Sequence, residues 1–172
     1  DGGAIYSVGC GIEATNCEFN GNVAGTNFDT AQGGAVHLTR GQALFGPSTF
    51  TNCLFVDNRA VHLDFPFPDH GGAIYVDGGR ADGYDLRLLN CTFFENKAKT
   101  NGGGLYAVPN SEATKVQVVN SIFSHNGRMF EQQPAYDRLT GQIGPGVSDA
   151  WGGRERGVQG EASGPSARYL MT

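Results

Sequence analysis

The stretch GGAIYVDGG, residues 71–79, opens with a glycine pair that leads into a short apolar run. The same phrase occurs as GGAIYS from Gly2 and as GGAVHL from Gly33, and a looser copy, GGGLYA, begins at Gly102. The glycine pairs recur after 31, 38 and 31 residues. Periods of this size indicate a repeat architecture.

A second phrase, with the consensus N-[CS]-x-F-x-x-N, alternates with the glycine phrase along the chain. Its four copies are NCEFNGN from Asn16, NCLFVDN from Asn52, NCTFFEN from Asn90 and NSIFSHN from Asn120. Each copy follows a glycine pair in the same order. Two linked motifs that recur in fixed order indicate one structural unit that is repeated four times.

Each unit holds three short runs in which apolar or small residues alternate with polar ones, as in half-buried strands. The inward positions are Ile5, Val36, Ile74 and Leu105 in the first run, Ala14, Phe50, Leu88 and Val118 in the second, and Phe19, Phe55, Phe93 and Phe123 in the third. Three inward faces describe a triangular coil whose turns stack about 4.8 Å apart. We therefore predict an all-β fold, a right-handed parallel β-helix of about four coils.

Glycine and asparagine are expected at the corners of this coil. Glycine has the backbone freedom that a tight corner at the start of each coil requires. Asparagine tolerates left-handed backbone angles at a bend, and its amide can bond the same amide one coil away. The bend column is Asn16, Asn52, Asn90 and Asn120, and the column that closes the third run is Asn22, Asn58, Asn96 and Asn126.

The paired motifs resemble the polymorphic outer-membrane protein repeat, GGAI followed by FxxN, which is named for chlamydial surface proteins. The resemblance covers residues 2–126, and FxxN is intact in all four copies. GGAI is intact at Gly2–Ile5 and Gly71–Ile74, and it is changed at the other two positions. The resemblance implies a β-helical adhesin or structural protein that is extracellular or at the cell surface.

The chain divides into two parts, which we predict to be a β-helix over residues 1–126 and an extended tail over residues 127–172. The tail is rich in Gly, Pro and polar residues, and we expect it to pack on the helix or on a neighbouring chain. Open coil ends present unpaired strand edges that invite pairing. With the apolar loop 59–70, these features predict other protein subunits as partners, and assembly into a filament or complex is an alternative function.

Composition excludes several classes of partner and site. The net charge is −5 and the chain has no basic stripe, so nucleic acid is not an expected partner. No apolar run approaches the roughly 18 residues of a membrane span. The chain has no C-x-x-C pair and no cysteine with an adjacent histidine, so we expect no metal and no cofactor.

We interpret the inward cysteines and one asparagine motif as structural features and not as functional sites. Cys17, Cys53 and Cys91 fall in the inward column and are interpreted as buried thiols that behave as small apolar groups, whereas Cys10 lies outside that column. The triplet Asn90-Cys91-Thr92 matches a glycosylation sequon. Since Asn90 occupies a ladder position, we expect its amide to be engaged with the backbone and interpret it as structural.

Enzymatic activity is the less favoured alternative. Parallel β-helices also host polysaccharide lyases and glycoside hydrolases, whose outer face carries carboxylates on successive coils. The outward positions of the third run are Glu18, Leu54, Thr92 and Ile122, which cannot supply them. His37 near Asp77, with Arg80, is the remaining catalytic candidate, and the stretch 77–85 is interpreted as a solvated turn. We predict no enzyme, with a pectate-lyase-like carbohydrate-active enzyme as the alternative.

The candidate binding residues form one outward column and one loop. The column, in the same outward position of the first run in four coils, is Tyr6, His37, Tyr75 and Tyr106. Such rings can hold sugar rings or apolar side chains of a partner, or they stabilise the sheet by cross-strand contact alone. The loop contributes Leu63, Phe65 and Phe67 among prolines. We predict protein contacts, with glycans as a second class of ligand.

Overall fold

Where the structure describes it, the chain winds into a coil of short parallel strands and turns. The computed structural model describes residues 2–25, 30–39, 46–62, 68–78, 85–108, 114–128 and 147–149. Within these ranges every strand pairs with its counterpart one coil before or after it, and every pairing is parallel. The predicted all-β parallel β-helix of four coils is thereby confirmed.

The strands, numbered in chain order, form four sheets. The first contains β1 (Ile5–Val8), β5 (Val36–Thr39), β9 (Ile74–Asp77) and β13 (Leu105–Ala107). The second contains β2 (Glu13–Thr15), β6 (Ser48–Thr51), β10 (Leu86–Leu89) and β14 (Val116–Val119). The third contains β3 (Glu18–Asn20), β7 (Leu54–Val56), β11 (Thr92–Phe94), β15 (Ser121–Ser124) and β17 (Val147–Asp149). The fourth contains β4 (Val23–Ala24), β8 (Arg59–Ala60), β12 (Lys97–Ala98) and β16 (Gly127–Arg128).

The phenylalanines of the third sheet form one continuous stack in the core. Ring centroids lie 4.7 Å apart between Phe19 and Phe55, and 4.5 Å apart between Phe55 and Phe93. The last pair, Phe93 and Phe123, is separated by 4.4 Å. All three pairs of rings are within 5° of parallel. The predicted column is confirmed, and the stack fixes the register of every coil on the next.

The inward faces of the first two sheets complete the same core. Val36, Ile74 and Leu105 are fully buried in the first sheet, and Phe50, Leu88 and Val118 are fully buried in the second. Phe50 packs edge-on against Phe55 at 5.5 Å. One apolar cluster therefore joins all three predicted inward faces.

The glycine pairs turn the corner that precedes the first sheet, and each glycine serves a different purpose. Gly71 has a left-handed φ of +67°, a conformation that side chains with a Cβ disfavour. At Gly72 an added Cβ would overlap the carbonyl oxygen of Gly103 in the next coil. Gly33 and Gly102 have the same left-handed φ, so the phrase recurs because the corner needs one left-handed residue and one close approach of backbones.

The second asparagine column forms a buried ladder along the fold. Asn58 Nδ2 donates to Asn96 Oδ1 at 2.8 Å, and Asn96 Nδ2 donates to Asn126 Oδ1 at 2.9 Å. Each of these amides also donates to a phenylalanine carbonyl of the preceding coil, as Asn96 Nδ2 does to Phe55 O at 2.8 Å. The coil-to-coil bonds predicted for this column are confirmed, and they explain the spacing of FxxN.

The bend column has the predicted left-handed backbone, with φ between +47° and +56° in all four asparagines. A second left-handed column, which the sequence did not reveal, lies just before the ladder asparagines. Its members are Gly21, Asp57, Glu95 and His125, with φ between +48° and +66°. Because only the first copy is glycine, the other three coils carry backbone strain at this position.

Replacing Glu95 with glycine should therefore stabilise the protein. The left-handed conformation costs a residue with a Cβ roughly 1–2 kcal/mol, and glycine loses about 0.5–1 kcal/mol of that gain to unfolded-state entropy. We expect Glu95→Gly to raise the free energy of unfolding by about 0.5–1 kcal/mol in urea titrations. Glu95→Ala keeps the strain and should leave stability unchanged; a loss of stability in the glycine variant would contradict this account.

The fourth sheet corrects the predicted coil, which had three strands instead of four. Each of its strands has two residues and directly follows a ladder asparagine. Ala24, Ala60 and Ala98 are its buried side chains. A run of two residues is too short to show period-two alternation, so the sequence pattern could not reveal it.

One strand of the C-terminal segment joins the third sheet. β17 pairs in parallel with β15, so that Val147 lies opposite Ser121. The remaining residues after 128 lie outside the described part of the chain. The division into a helix and a tail at residue 126 stays a prediction.

Candidate functional site

The structure brings the four predicted column residues together on the outer face of the first sheet. Tyr6 lies opposite His37, His37 opposite Tyr75, and Tyr75 opposite Tyr106. Ring centroids are 4.9 Å apart between Tyr6 and His37 and 4.8 Å apart between His37 and Tyr75, both edge-on. Tyr75 and Tyr106 are 5.7 Å apart and close to parallel. The rings form one ladder across four coils.

A fifth ring, which sequence reasoning missed, extends this ladder. His70 stacks on Tyr106 with centroids 4.3 Å apart and planes 12° from parallel. It is held by single bridges to Gln32 and Asn101, the residues at the same place in the neighbouring coils. His70 directly precedes the glycine pair, a place without period-two alternation, so no sequence signal marks it.

The ladder is accessible at some rings and closed at others. Tyr6 is 51% exposed, and Tyr106 and His70 are half-buried. His37 and Tyr75 are only 5% and 8% exposed. His37 and Tyr75 therefore offer little surface for contact, whereas Tyr6, Tyr106 and His70 remain accessible.

Burial shifts the ionisation of the covered rings. Desolvation lowers the pKa of His37 from 6.5 to about 4, and it lowers the pKa of His70 against the charge of Asp69. Desolvation, followed by the charge of Asp77, raises the pKa of Tyr75 to about 12. His37, His70 and Tyr75 are thus uncharged at neutral pH.

The buried imidazole of His37 should make stability depend on pH. Its pKa is about 4 in the folded protein, below the ordinary value of 6.5 that the unfolded chain restores, so protonation favours unfolding. The contribution is fully present above pH 6.5 and is lost as the pH falls to about 4. We expect the wild-type protein to lose about 2–3 kcal/mol more than His37→Phe between about pH 7 and pH 4 in urea titrations. Parallel pH profiles would contradict this assignment.

The predicted loop residues Leu63, Phe65 and Phe67 lie outside the described part of the chain, but both ends of that loop are fixed. Asp69, which is fully buried, accepts the amide of Ala31 on Oδ1 at 2.8 Å and that of His62 on Oδ2 at 2.7 Å. Lys99 Nζ donates to His62 O at 2.8 Å. This carboxylate ties together segments of neighbouring coils, and sequence reasoning missed it.

The strand register does not place the two members of the candidate acid–base pair, His37 and Asp77, opposite each other. Asp77 lies opposite Thr39, not opposite His37, and Arg80 lies outside the described residues. The carboxylate of Asp85 accepts the amide of Lys115 at 2.7 Å and packs over Gly78. The interpretation of the whole stretch 77–85 as a solvated turn is therefore wrong for Asp85, which has a structural role.

The outer face of the third sheet carries the predicted column of Glu18, Leu54, Thr92 and Ile122, in which Glu18 is the single carboxylate. Ile122 is 42% exposed and Phe94, in the adjacent column, is 36% exposed. This face is a second apolar surface. In the described ranges, no three His, Cys, Asp or Glu side chains come together as a metal site.

The inward cysteines act as hydrogen-bond donors and not only as small apolar groups. Cys53 Sγ donates to Thr51 O at 3.3 Å and Cys91 Sγ to Leu89 O at 3.4 Å. Ser121 Oγ makes the same bond to Val119 O at 3.0 Å, which explains why serine replaces cysteine in the fourth copy. Cys10, Cys17, Cys53 and Cys91 are all free. Cys53 and Cys91 are buried as predicted, but Cys17 is exposed in the first coil, so its interpretation as a buried thiol is wrong. Desolvation raises the pKa of Cys91 to about 11, so it remains a thiol.

The geometry of the third coil coincides with a match to a known repeat. Residues 90–108 match the family model described as Chlamydia polymorphic membrane protein (Chlamydia_PMP) repeat. This segment is similar to that repeat. The matched segment runs from the bend asparagine Asn90 through the ladder asparagine Asn96 to the strand that follows Gly102. The resemblance to the polymorphic membrane protein repeat is thereby confirmed over this segment.

The polymorphic membrane protein family consists of surface-associated outer-membrane proteins and is not an enzyme family. No curated protein and no solved structure matches the chain. Across the described residues, no helix is long and apolar enough to cross a membrane.

Proposed function

We propose that this chain is a non-enzymatic structural and adhesive module that acts at the cell surface or outside the cell. The observation that carries the proposal is the continuity of its internal columns. The phenylalanine stack and the asparagine ladder each run unbroken through all four coils. A solenoid held by such columns presents its outer faces rigidly, which lowers the entropic cost of binding.

The contact surface that we favour is the accessible part of the ring ladder. Tyr6 is the most exposed ring, and Tyr106 and His70 add a stacked pair. Flat, uncharged aromatic surfaces bind apolar side chains or the apolar faces of sugar rings. The loop residues Leu63, Phe65 and Phe67 remain contact candidates, because the buried Asp69 anchors the end of that loop. Other proteins are the favoured partners, and glycans are the second class.

Adhesion can be tested with beads that carry the chain. The beads are applied to layers of epithelial cells and to immobilised polysaccharides, and retention under flow and the release of soluble sugar are both measured. We expect retention without cleavage of any polysaccharide. Absence of retention on every surface would overturn the adhesive role, and cleavage would support the pectate-lyase-like alternative.

The ladder can be tested with one pair of variants. Aromatic anchors at interfaces typically contribute more than about 1 kcal/mol each, so Tyr6→Ala combined with Tyr106→Ala should weaken bead retention by about 10-fold or more. Val23→Ala is the matched control, since Val23 is 54% exposed on the fourth sheet and lies away from the ladder. Equal retention of both variants would exclude the ladder as the contact surface.

Assembly with other subunits is the second candidate function, and the apolar face of the third sheet favours it. The exposure of Ile122 and Phe94 makes a contact with another chain favourable by burial of apolar area. Sedimentation equilibrium should show association that Phe94→Ser with Ile122→Ser abolishes. A monomer at every concentration of the unmodified chain would overturn this candidate.

A further inference from the structure

The triplet Asn90-Cys91-Thr92 has an accessible acceptor side chain. Asn90 is exposed at the bend between β10 and β11, where its backbone φ is +54°. One coil earlier, Asn52 Nδ2 donates to Asn16 Oδ1 at 3.2 Å. The side-chain amide of Asn90 makes no such bond to any described residue. The interpretation of this side-chain amide as engaged with the backbone is therefore wrong.

We propose that Asn90 is an acceptor site for an N-linked glycan, a modification beyond the structural and adhesive role. The sequence N-x-T, with x other than proline, is the pattern that N-glycosylation requires. The donor would be a lipid-pyrophosphate-linked oligosaccharide. The Asn90 Nδ2 forms a bond to the anomeric carbon of the first sugar, the bond from that carbon to the phosphate oxygen breaks, the lipid pyrophosphate leaves, and one amide proton is released.

The fold leaves room for such a glycan without loss of its own bonds. The backbone amide of Asn90 already donates to Val119 O at 2.9 Å, and the ladder that supports the coil uses Asn96 instead. Cys91, the middle residue of the triplet, is buried and points to the core. Thr92 begins β11 and is half-buried on the outer face. A sugar on Asn90 would therefore extend from the corner between the second and third sheets.

The repeat provides internal comparisons for this site. The other bend asparagines have the same left-handed geometry, but the residue two positions later is Glu18, Leu54 or Ile122 in place of threonine. Only the third coil thus combines the bend with a sequon among the four copies. Leu54→Thr would create the same triplet at Asn52, whose side-chain amide donates a hydrogen bond to Asn16.

The test is to secrete the chain from a eukaryotic host that has oligosaccharyltransferase and to treat it with peptide N-glycosidase in heavy-oxygen water. We expect an oligosaccharide mass that the enzyme removes, and a peptide in which position 90 has become aspartate with one heavy oxygen. Thr92→Ser should retain the glycan. Thr92→Val, which has the same shape and keeps a β-branched strand residue, should lose it while the urea midpoint stays unchanged.

The outcome that overturns the proposal is an unmodified Asn90 in the secreted wild-type chain. Secreting Leu54→Thr in parallel makes that result decisive: a glycan at Asn52 with none at Asn90 would show that the host glycosylates this fold at a bend but rejects this site. Loss of the glycan in Thr92→Ser would also count against the proposal. Adhesion of the unglycosylated chain can be measured separately, so failure here leaves the adhesive role untouched.

Discussion

Phe55→Ala should destabilise the protein by about 3–5 kcal/mol, the range for removing a buried phenylalanine ring. Phe55 is fully buried and lies between Phe19 and Phe93, with ring centroids at 4.7 Å and 4.5 Å. Its removal leaves a cavity bounded by these rings and by Phe50, and the rings above and below cannot close it without changing the coil spacing. The urea midpoint followed by circular dichroism measures the loss.

Phe94→Ala is the matched control for this prediction. Phe94 belongs to the third coil of the same sheet, but its side chain is 36% exposed on the outer face. Substitution at such a position typically changes stability by about 0.5 kcal/mol. Equal effects of the two substitutions would show that the phenylalanine stack is not the element that holds the coils together.

The inward columns were predictable because each inward position occurs four times in the sequence, once in each copy of the repeat. A single run of alternating residues is ambiguous, but four copies in register assign the inward face and its phase. The same argument placed Asn58 and Asn96 one above the other. It also placed Tyr6, His37, Tyr75 and Tyr106 in one line, so the geometry of the candidate site followed from the fold.

Structural features that have no recurring residue type in the four copies could not be predicted from the sequence. The left-handed residue before each ladder asparagine is Asp57, Glu95 or His125 in three coils, and none of these residue types is the glycine that marks a left-handed position in a sequence. Asp69 is buried because backbone amides from Ala31 and His62 converge on it, and neither partner is near it in a sequence pattern. The contacts of Asp69 join segments that are separate in the sequence, and local composition does not encode them.

The exposure of the candidate site was unpredictable for the same reason. Period-two alternation assigns a side chain to the outer face of a sheet, but it does not say what lies over that face. His37 and Tyr75 are on the outer face and are nonetheless buried, whereas Tyr6 on the same line is half-exposed.

Asn96→Asp should cost about 3–5 kcal/mol at neutral pH, although the two side chains have the same shape. Asn96 is fully buried, and its Nδ2 donates to Phe55 O at 2.8 Å and Asn126 Oδ1 at 2.9 Å. A carboxylate would place an acceptor against these two acceptors and bury an uncompensated charge. The loss arises from reversed hydrogen-bond polarity, because no atom is removed and no cavity forms.

The pH dependence of this variant separates that cause from a general loss of packing. Burial raises the pKa of a carboxyl group above its usual value of about 3.9, so protonation favours the folded state of Asn96→Asp. Its deficit in unfolding free energy should therefore grow as the pH rises from about 4 toward about 7, and it should level off below about pH 4, where the carboxyl group is protonated in the unfolded chain as well. Asn22→Asp, which loses only the single bond to Asn58 Oδ1 at a half-buried position, should show a smaller deficit. A deficit that is constant with pH would mean that the ladder stabilises the coil through shape and not through hydrogen-bond direction.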